Sequence, residues 1–281
     1  MAQVISRDGT RIGYETHGSG PLLVTVAGAT QYRGIDPEGT PGLARQLAGD
    51  YTVLIYDRRG RGESTDTWPY EVAREIEDIE ALIDANGGSA RLFGMSSGAV
   101  LALEATAALG SKVKGLVMYE PPIDPERSSE SYQSDHRDMA ALAAENRGED
   151  MIVNFLFDIM PPEVFEGFRN SPSWPSFAAV GLTIEHDYRV LADARATDDP
   201  PRAGCRSLRP FSFSMATPPS PSCGPAPTGS PRASQTPRAG RSLARAMTTT
   251  RSLSARRFWP SSPSDRPTKK RPLISRGRYH I

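Results

Sequence analysis

Acidic residues all but disappear from the C-terminal part of this chain. Residues 201–281 hold 16 Lys and Arg but a single acid, Asp265. The zero net charge therefore averages two unlike parts. Residues 1–200 carry 17 basic and 32 acidic residues, near −15, and the tail lies near +15. Cysteine is scarce as well: Cys205 and Cys223 both fall in the tail. Two cysteines in 281 residues exclude a disulfide framework and fit a cytoplasmic setting. No apolar run approaches the ~18 residues that a membrane helix needs. Met1-Ala2-Gln3-Val4 leads straight into a polar turn, so no signal peptide is read. Histidine is limited to His17, His136, His186 and His280, which restricts the choice of any general base. No metal or cofactor is expected.

What is present in the first 200 residues is an alternation of strands and helices. Gln3–Ser6 and Arg11–Glu15 flank Asp8-Gly9, a strong hairpin signal. Leu22–Val26 and Tyr51–Tyr56 are continuous apolar runs, as expected of strands buried on both faces. Gly42–Leu47 reads as a short helix. A longer helix is predicted over Glu71–Ala85, with Val72, Ile76, Ile79, Leu82 and Ile83 at helical spacing. A strand at Ala90–Phe93, an Ala/Leu-rich helix at Ala99–Leu109 and a strand at Gly115–Tyr119 follow. Such alternation implies parallel βαβ units and an α/β sheet. From Ser128 to Leu191 the pattern is helical with no strong strand, as expected of a cap over a sheet edge. Beyond Asp198 only Phe211–Met215 alternates, and no internal repeat is evident.

Gly94-Met95-Ser96-Ser97-Gly98 sits between the Ala90 strand and the Ala99 helix. Gly-x-Ser-x-Gly in that place is a nucleophile elbow: small residues on both sides of the turn let strand and helix pack closely while the serine hydroxyl stands at the tip. Ala27-Gly28 follows an earlier strand, Asp57-Arg58-Arg59-Gly60-Arg61-Gly62-Glu63-Ser64 follows another, and Tyr119-Glu120-Pro121-Pro122 follows the next. With these four motifs in order, residues 1–195 resemble the α/β-hydrolase family, above all its small capped esterase, peroxidase-like and peptidase-like members. The fold class implied is a mostly parallel sheet with flanking helices and a helical cap. The expected domains are a core over 1–124, a cap over 125–191 and a Pro/Ser/Arg-rich tail over 192–281, whose composition cannot bury a core and predicts disorder.

The resemblance implies roles. Ser96 is the expected nucleophile and a small ester-like molecule the expected substrate. The backbone N–H of Ser97 is one expected oxyanion donor. The family usually has His-Gly in the loop that supplies the second; Ala27-Gly28 keeps the turn without the histidine, and Ala29 is the candidate donor. Asp57 and Arg58 are expected to be scaffold. The family then places an acid and, near the C-terminus, a histidine. Here the chain departs. His17 lies in the hairpin, His136 in the cap and His280 in the tail. His186-Asp187 is a candidate base and acid but precedes the expected position, and Glu120 is a candidate acid at a strand end. Lyase and perhydrolase chemistry remain alternatives on the same fold. A catalytically inactive protein with a basic tail is a further one. Phe258, Trp259 and Tyr279 stand among its positive charges, but arginine codons abundant in an off-frame reading account for them without nucleic-acid binding.

The tail also admits a test in the genetic code. If each codon's third base is read with the first two of the next, Met215-Ala216 must give Gly and Met247-Thr248 must give Asp. Pro210-Phe211 and Ser212-Phe213 must give apolar residues, so a buried strand ending in acids can be read there. Arg245-Ala246-Met247-Thr248 allows Gly-His-Asp, where the family places its histidine. A frameshift near residues 192–203 is the expectation this raises.

Overall fold

The computed structural model describes residues 2–196. The expectations for Cys205, Cys223, Phe211–Met215, the aromatic residues of the tail and His280 lie outside them.

Six strands form one sheet in the order β1-β2-β4-β3-β5-β6. The hairpin is β1 (Ala2–Ile5) and β2 (Arg11–His17), paired antiparallel with Ile5 opposite Arg11. Gly9 takes φ +88° in its turn, a conformation that glycine adopts without steric cost. β2 pairs antiparallel with β4 (Thr52–Tyr56), and β4 pairs parallel with β3 (Leu22–Val26). β3, every residue of which is buried, pairs parallel with β5 (Ala90–Met95), and β5 with β6 (Val113–Tyr119). The two apolar runs are thus the sheet's interior, where both faces are covered and alternation has no physical basis. Leu116, Val117, Met118 and Tyr119 of β6 are only half-buried, and among the described residues no strand pairs with its outer edge.

Helices cover the sheet. α1 (Thr40–Leu47) packs Ala44 and Leu47 beside Leu23, Val53 and Phe93 on one face. α2 (Val72–Ala85) and α3 (Ser97–Leu109) build the larger cluster on the other, with Ile79, Leu82, Ile83, Leu101 and Ala105 all buried. Burying such side chains stabilises the fold by roughly 1.5–3 kcal/mol each before chain entropy opposes it. α2 also buries Glu75 and Asp78 on the same stripe as its apolar residues. α3 begins at Ser97, two residues before the predicted helix, because the turn feeds directly into it.

The segment after β6 is helical as expected: α4 (Ser129–Ala144), α5 (Gly148–Ile159), α6 (Pro162–Arg169), α7 (Trp174–Ala178) and α8 (Ile184–Ala194). Met139, Met151, Ile152, Phe165, Trp174 and Ile184 form its own core, and Ala29 of the loop after β3 packs against it. α8 serves both layers. Ile184 belongs to the core of this helical segment, whereas Val190 is buried in the main cluster.

Candidate active site

The elbow is built by close approach. A Cβ on Gly94 would lie 2.5 Å from the Ala99 Cα and the Gly98 carbonyl oxygen. A Cβ on Gly98 would lie 2.4 Å from the carbonyl oxygens of Val26 and Ala27. Backbone occupies both places, so neither position admits a side chain unless strand and helix separate. Between them Ser96 has φ 53° and ψ −129°, a conformation that costs a non-glycine residue about 1–3 kcal/mol. Its N–H donates to the Tyr119 carbonyl at 2.9 Å, which ties the turn to the end of β6. Its own carbonyl accepts the first bond of α3, from the Ala99 N–H at 2.9 Å. Ser96 thus stands at the positive end of a 13-residue helix, which favours an anion forming beside it.

The loop after β3 faces this turn. A Cβ on Gly28 would come within 3.0 Å of the Ser96 Cβ and of the Met95 carbonyl oxygen. Gly28 donates its N–H to Gln31 Oε1 at 3.1 Å, and Thr30 takes φ 64°. Ala29, the candidate donor, lies between them. Glu120 also has a positive φ, 48°, follows β6 next to the bond that holds Ser96, and is exposed.

The Asp57–Ser64 loop does more than hold its own turn. Asp57 does so, accepting from the backbone N–H groups of Arg33 and Glu63 and from the Arg33 guanidinium. Arg58, Arg59 and Arg61, by contrast, are among the most buried large side chains of the protein. Arg59 forms paired bonds to Asp78 at 2.7 and 2.8 Å and one to Asp8 at 2.9 Å. Arg58 bonds Glu75 and, at 2.6 Å, Asp187. Arg61 bonds the other oxygen of Asp187 and donates to Thr183 Oγ1 at 2.9 Å. Asp187 also accepts from the Ser97 hydroxyl at 2.7 Å. Two cations and two carboxylates share one buried site, so the charges cancel. Burial by itself would raise Glu75, but Arg58 outweighs it and brings the carboxyl down to about 2. Asp187 is likewise held below its ordinary value: burial opposes this, and the charges of Arg61 and Arg58 prevail.

The structure separates the two members of the His186-Asp187 candidate. Asp187 enters the arginine cluster. The His186 ring stacks on Tyr70 with centroids 3.8 Å apart and planes 7° apart, and Trp68 tilts against it at 5.5 Å. Its Nε2 has no hydrogen-bond partner, and the nearest carboxylate, Asp66, is 3.5 Å away. Burial pushes this imidazole down to about 3. A base this weak cannot draw a proton from a serine near neutral pH. His136 is occupied by Glu185 at 2.6 Å and His17 by Glu15 at 3.1 Å. No sequence pattern announced the Glu75 and Asp187 partnerships. The signal available was three arginines in a single turn beside strand β4, which cannot all be buried without carboxylates elsewhere.

The sequence profile of the alpha/beta hydrolase family matches residues 17–274. The chain belongs to that family. An alpha/beta hydrolase of known structure from Sphaerobacter thermophilus is 43% identical, superposes with a TM-score of 0.58, and the match covers 68% of this chain and 74% of that one. The uncharacterized hydrolase YraK of Bacillus subtilis is 33% identical over 117 residues, 40% of this chain and 42% of its own length. Proline iminopeptidase PfmaB of Pestalotiopsis fici is 24% identical over 202 residues, 70% of this chain and 66% of its own length. The chain thus spans less than two thirds of both of these curated relatives. No helix among the described residues is long and apolar enough to cross a membrane.

Proposed function

We propose that this hydrolase is built for acyl transfer from a small ester-like substrate to Ser96, and that the chain as it stands turns over poorly. The conformation of Ser96 at the start of α3, between two glycines that admit no side chain, carries the reading. In the reaction the Ser96 Oγ would bond to the substrate carbonyl carbon while its proton passes to a base. The carbonyl electron pair would move onto oxygen, facing the N–H groups of Ser97 and Ala29. Collapse would expel the alcohol, which takes up the proton, and water would then free the acid and regenerate Ser96. Glu120 is the nearest candidate acid along the chain. The described histidines supply no competent base, for the reasons given above. Without a base, about 10³–10⁴-fold acceleration over water survives from the oxyanion site and binding alone.

The test is a fluorophosphonate probe with the full chain. Slow labelling that disappears in Ser96→Ala, with ester turnover far below the ~1–10³ s⁻¹ typical of enzymes, is expected. Labelling that persists in Ser96→Ala overturns the nucleophile, and ordinary turnover overturns the impairment. Sequencing the coding DNA past residue 185 tests the origin of the impairment. A shifted frame that encodes the apolar strand and Gly-His-Asp, and whose repaired product gains about 10³-fold or more in turnover, is the expected result. A shifted frame with nothing family-like overturns it.

A further inference from the structure

We infer that Arg61 is a positioning residue that aims the second oxyanion donor, with Asp187 as its anchor. The inference rests on the Ser96 reading but concerns groups outside the expected triad. Arg61 Nη1 donates to the Gly28 carbonyl at 2.7 Å, and Arg58 Nη1 to the Ala27 carbonyl at 3.3 Å. A trans peptide is planar, and its C=O and N–H point in opposite directions. Holding the Gly28 oxygen toward the buried cluster therefore turns the Ala29 N–H the other way. Gly28 abuts Ser96, so the freed N–H belongs to the loop surface beside the nucleophile.

The other half of the oxyanion site is tied to the same carboxylate. Asp187 bonds Arg61, Arg58 and the Ser97 hydroxyl, so one side chain holds both the loop of Ala29 and the residue whose N–H is the first donor. Four charges buried together are rarely more stabilising than apolar side chains of the same volume. A fixed geometry is what such a cluster provides that an apolar core does not. Arg61 alone of the three arginines donates to Gly28. Arg59, equally shielded from solvent and bonded to Asp78 and Asp8 where Arg61 bonds Asp187, contacts neither half of the oxyanion site. That makes it an internal control.

The experiment measures fluorophosphonate labelling of Ser96 per folded molecule in the full chain. Arg61→Met is expected to lower the maximal labelling rate by about 10²-fold, the effect of one oxyanion donor, with little change in the half-saturating probe concentration. Arg61→Lys, which keeps the charge and can reach Gly28, is expected to recover part of the rate. Arg59→Met is expected to lower the melting temperature without slowing labelling. Should Arg61→Met not fold, Thr183→Val loosens the Arg61 Nε and gives a smaller slowing of the same kind. Backbone resonances of Gly28 and Ala29 give a readout independent of reactivity: the Gly28 carbonyl carbon should shift in Arg61→Met and stay in Arg59→Met. Equal slowing by the Arg59 and Arg61 variants, or an unmoved Gly28 carbonyl, overturns the inference. A wild-type chain that is not labelled at Ser96 but shows the Gly28 shift overturns the nucleophile reading alone.

Discussion

Asp187→Ala is expected to destabilise the protein by about 3–5 kcal/mol, because it removes the carboxylate that Arg61 bonds, and one of the two that Arg58 bonds, among the described residues. Arg58 would keep Glu75, but Arg61 would keep only neutral acceptors: the Thr183 hydroxyl and carbonyl and the carbonyls of Gly28 and Gln31. The loss is a large share of the ~5–15 kcal/mol by which a typical domain is stable. Urea unfolding should show a lower midpoint with the slope little changed, since the surface exposed on unfolding is the same. Pairing the change with Arg61→Met should cost less than the sum of the two, because removing the cation removes the uncompensated charge. A single-variant loss below about 1 kcal/mol would mean that water or a neighbouring carboxylate compensates the arginines, and that the cluster is not the closed unit described.

His186→Phe is expected to make the protein more resistant to acid. The buried imidazole titrates near 3 instead of its ordinary 6.5, so between those values the unfolded chain binds a proton that the folded chain refuses. Stability from this group is full above about pH 6.5 and is lost as the pH falls toward 3. At about pH 5 the penalty is about 2 kcal/mol relative to about pH 7.5. Phenylalanine can keep the stack on Tyr70 and has no proton to take up. Groups without a charge interaction with His186 shape both chains alike and cancel in the difference, whereas Glu75 feels the His186 charge directly. Glu75, depressed to about 2 by Arg58 against the cost of burial, loses its contribution as the pH falls from 4.5. Asp78, raised to about 6 by burial despite Arg59, acts in the opposite sense, since the folded chain takes up its proton first. Melts of the two chains at matched pH should therefore diverge on acidification. Parallel curves would mean that His186 is reached by water or finds a partner.

The strand runs Leu22–Val26 and Thr52–Tyr56, the hairpin and the elbow were legible because each is a local code. A strand buried on both faces needs an unbroken apolar run, and a turn with no room for side chains needs glycine at Gly94 and Gly98. The helical character of residues 128–191 was legible for the same reason. The dual use of α8 was not, because its Val190 and Ile184 read alike as apolar positions while they enter different cores. His186 and Asp187 show the limit most plainly. Adjacent in sequence, they suggested a base and its acid. A single residue step along α8, about 100° of rotation, sends the ring to Tyr70 and the carboxylate to Arg58, Arg61 and Ser97.

By itself the sequence determined the order of strands and helices and the place of Ser96 in the turn between β5 and α3, since both follow from residue type and spacing. Tertiary structure alone decided which carboxylates neutralise Arg58, Arg59 and Arg61, and that the same cluster grips the Ala27-Gly28 loop. The partners lie 17 to 129 residues apart along the chain, and pairing over such distances is set by how the layers pack and by the cost of burying an unmatched charge.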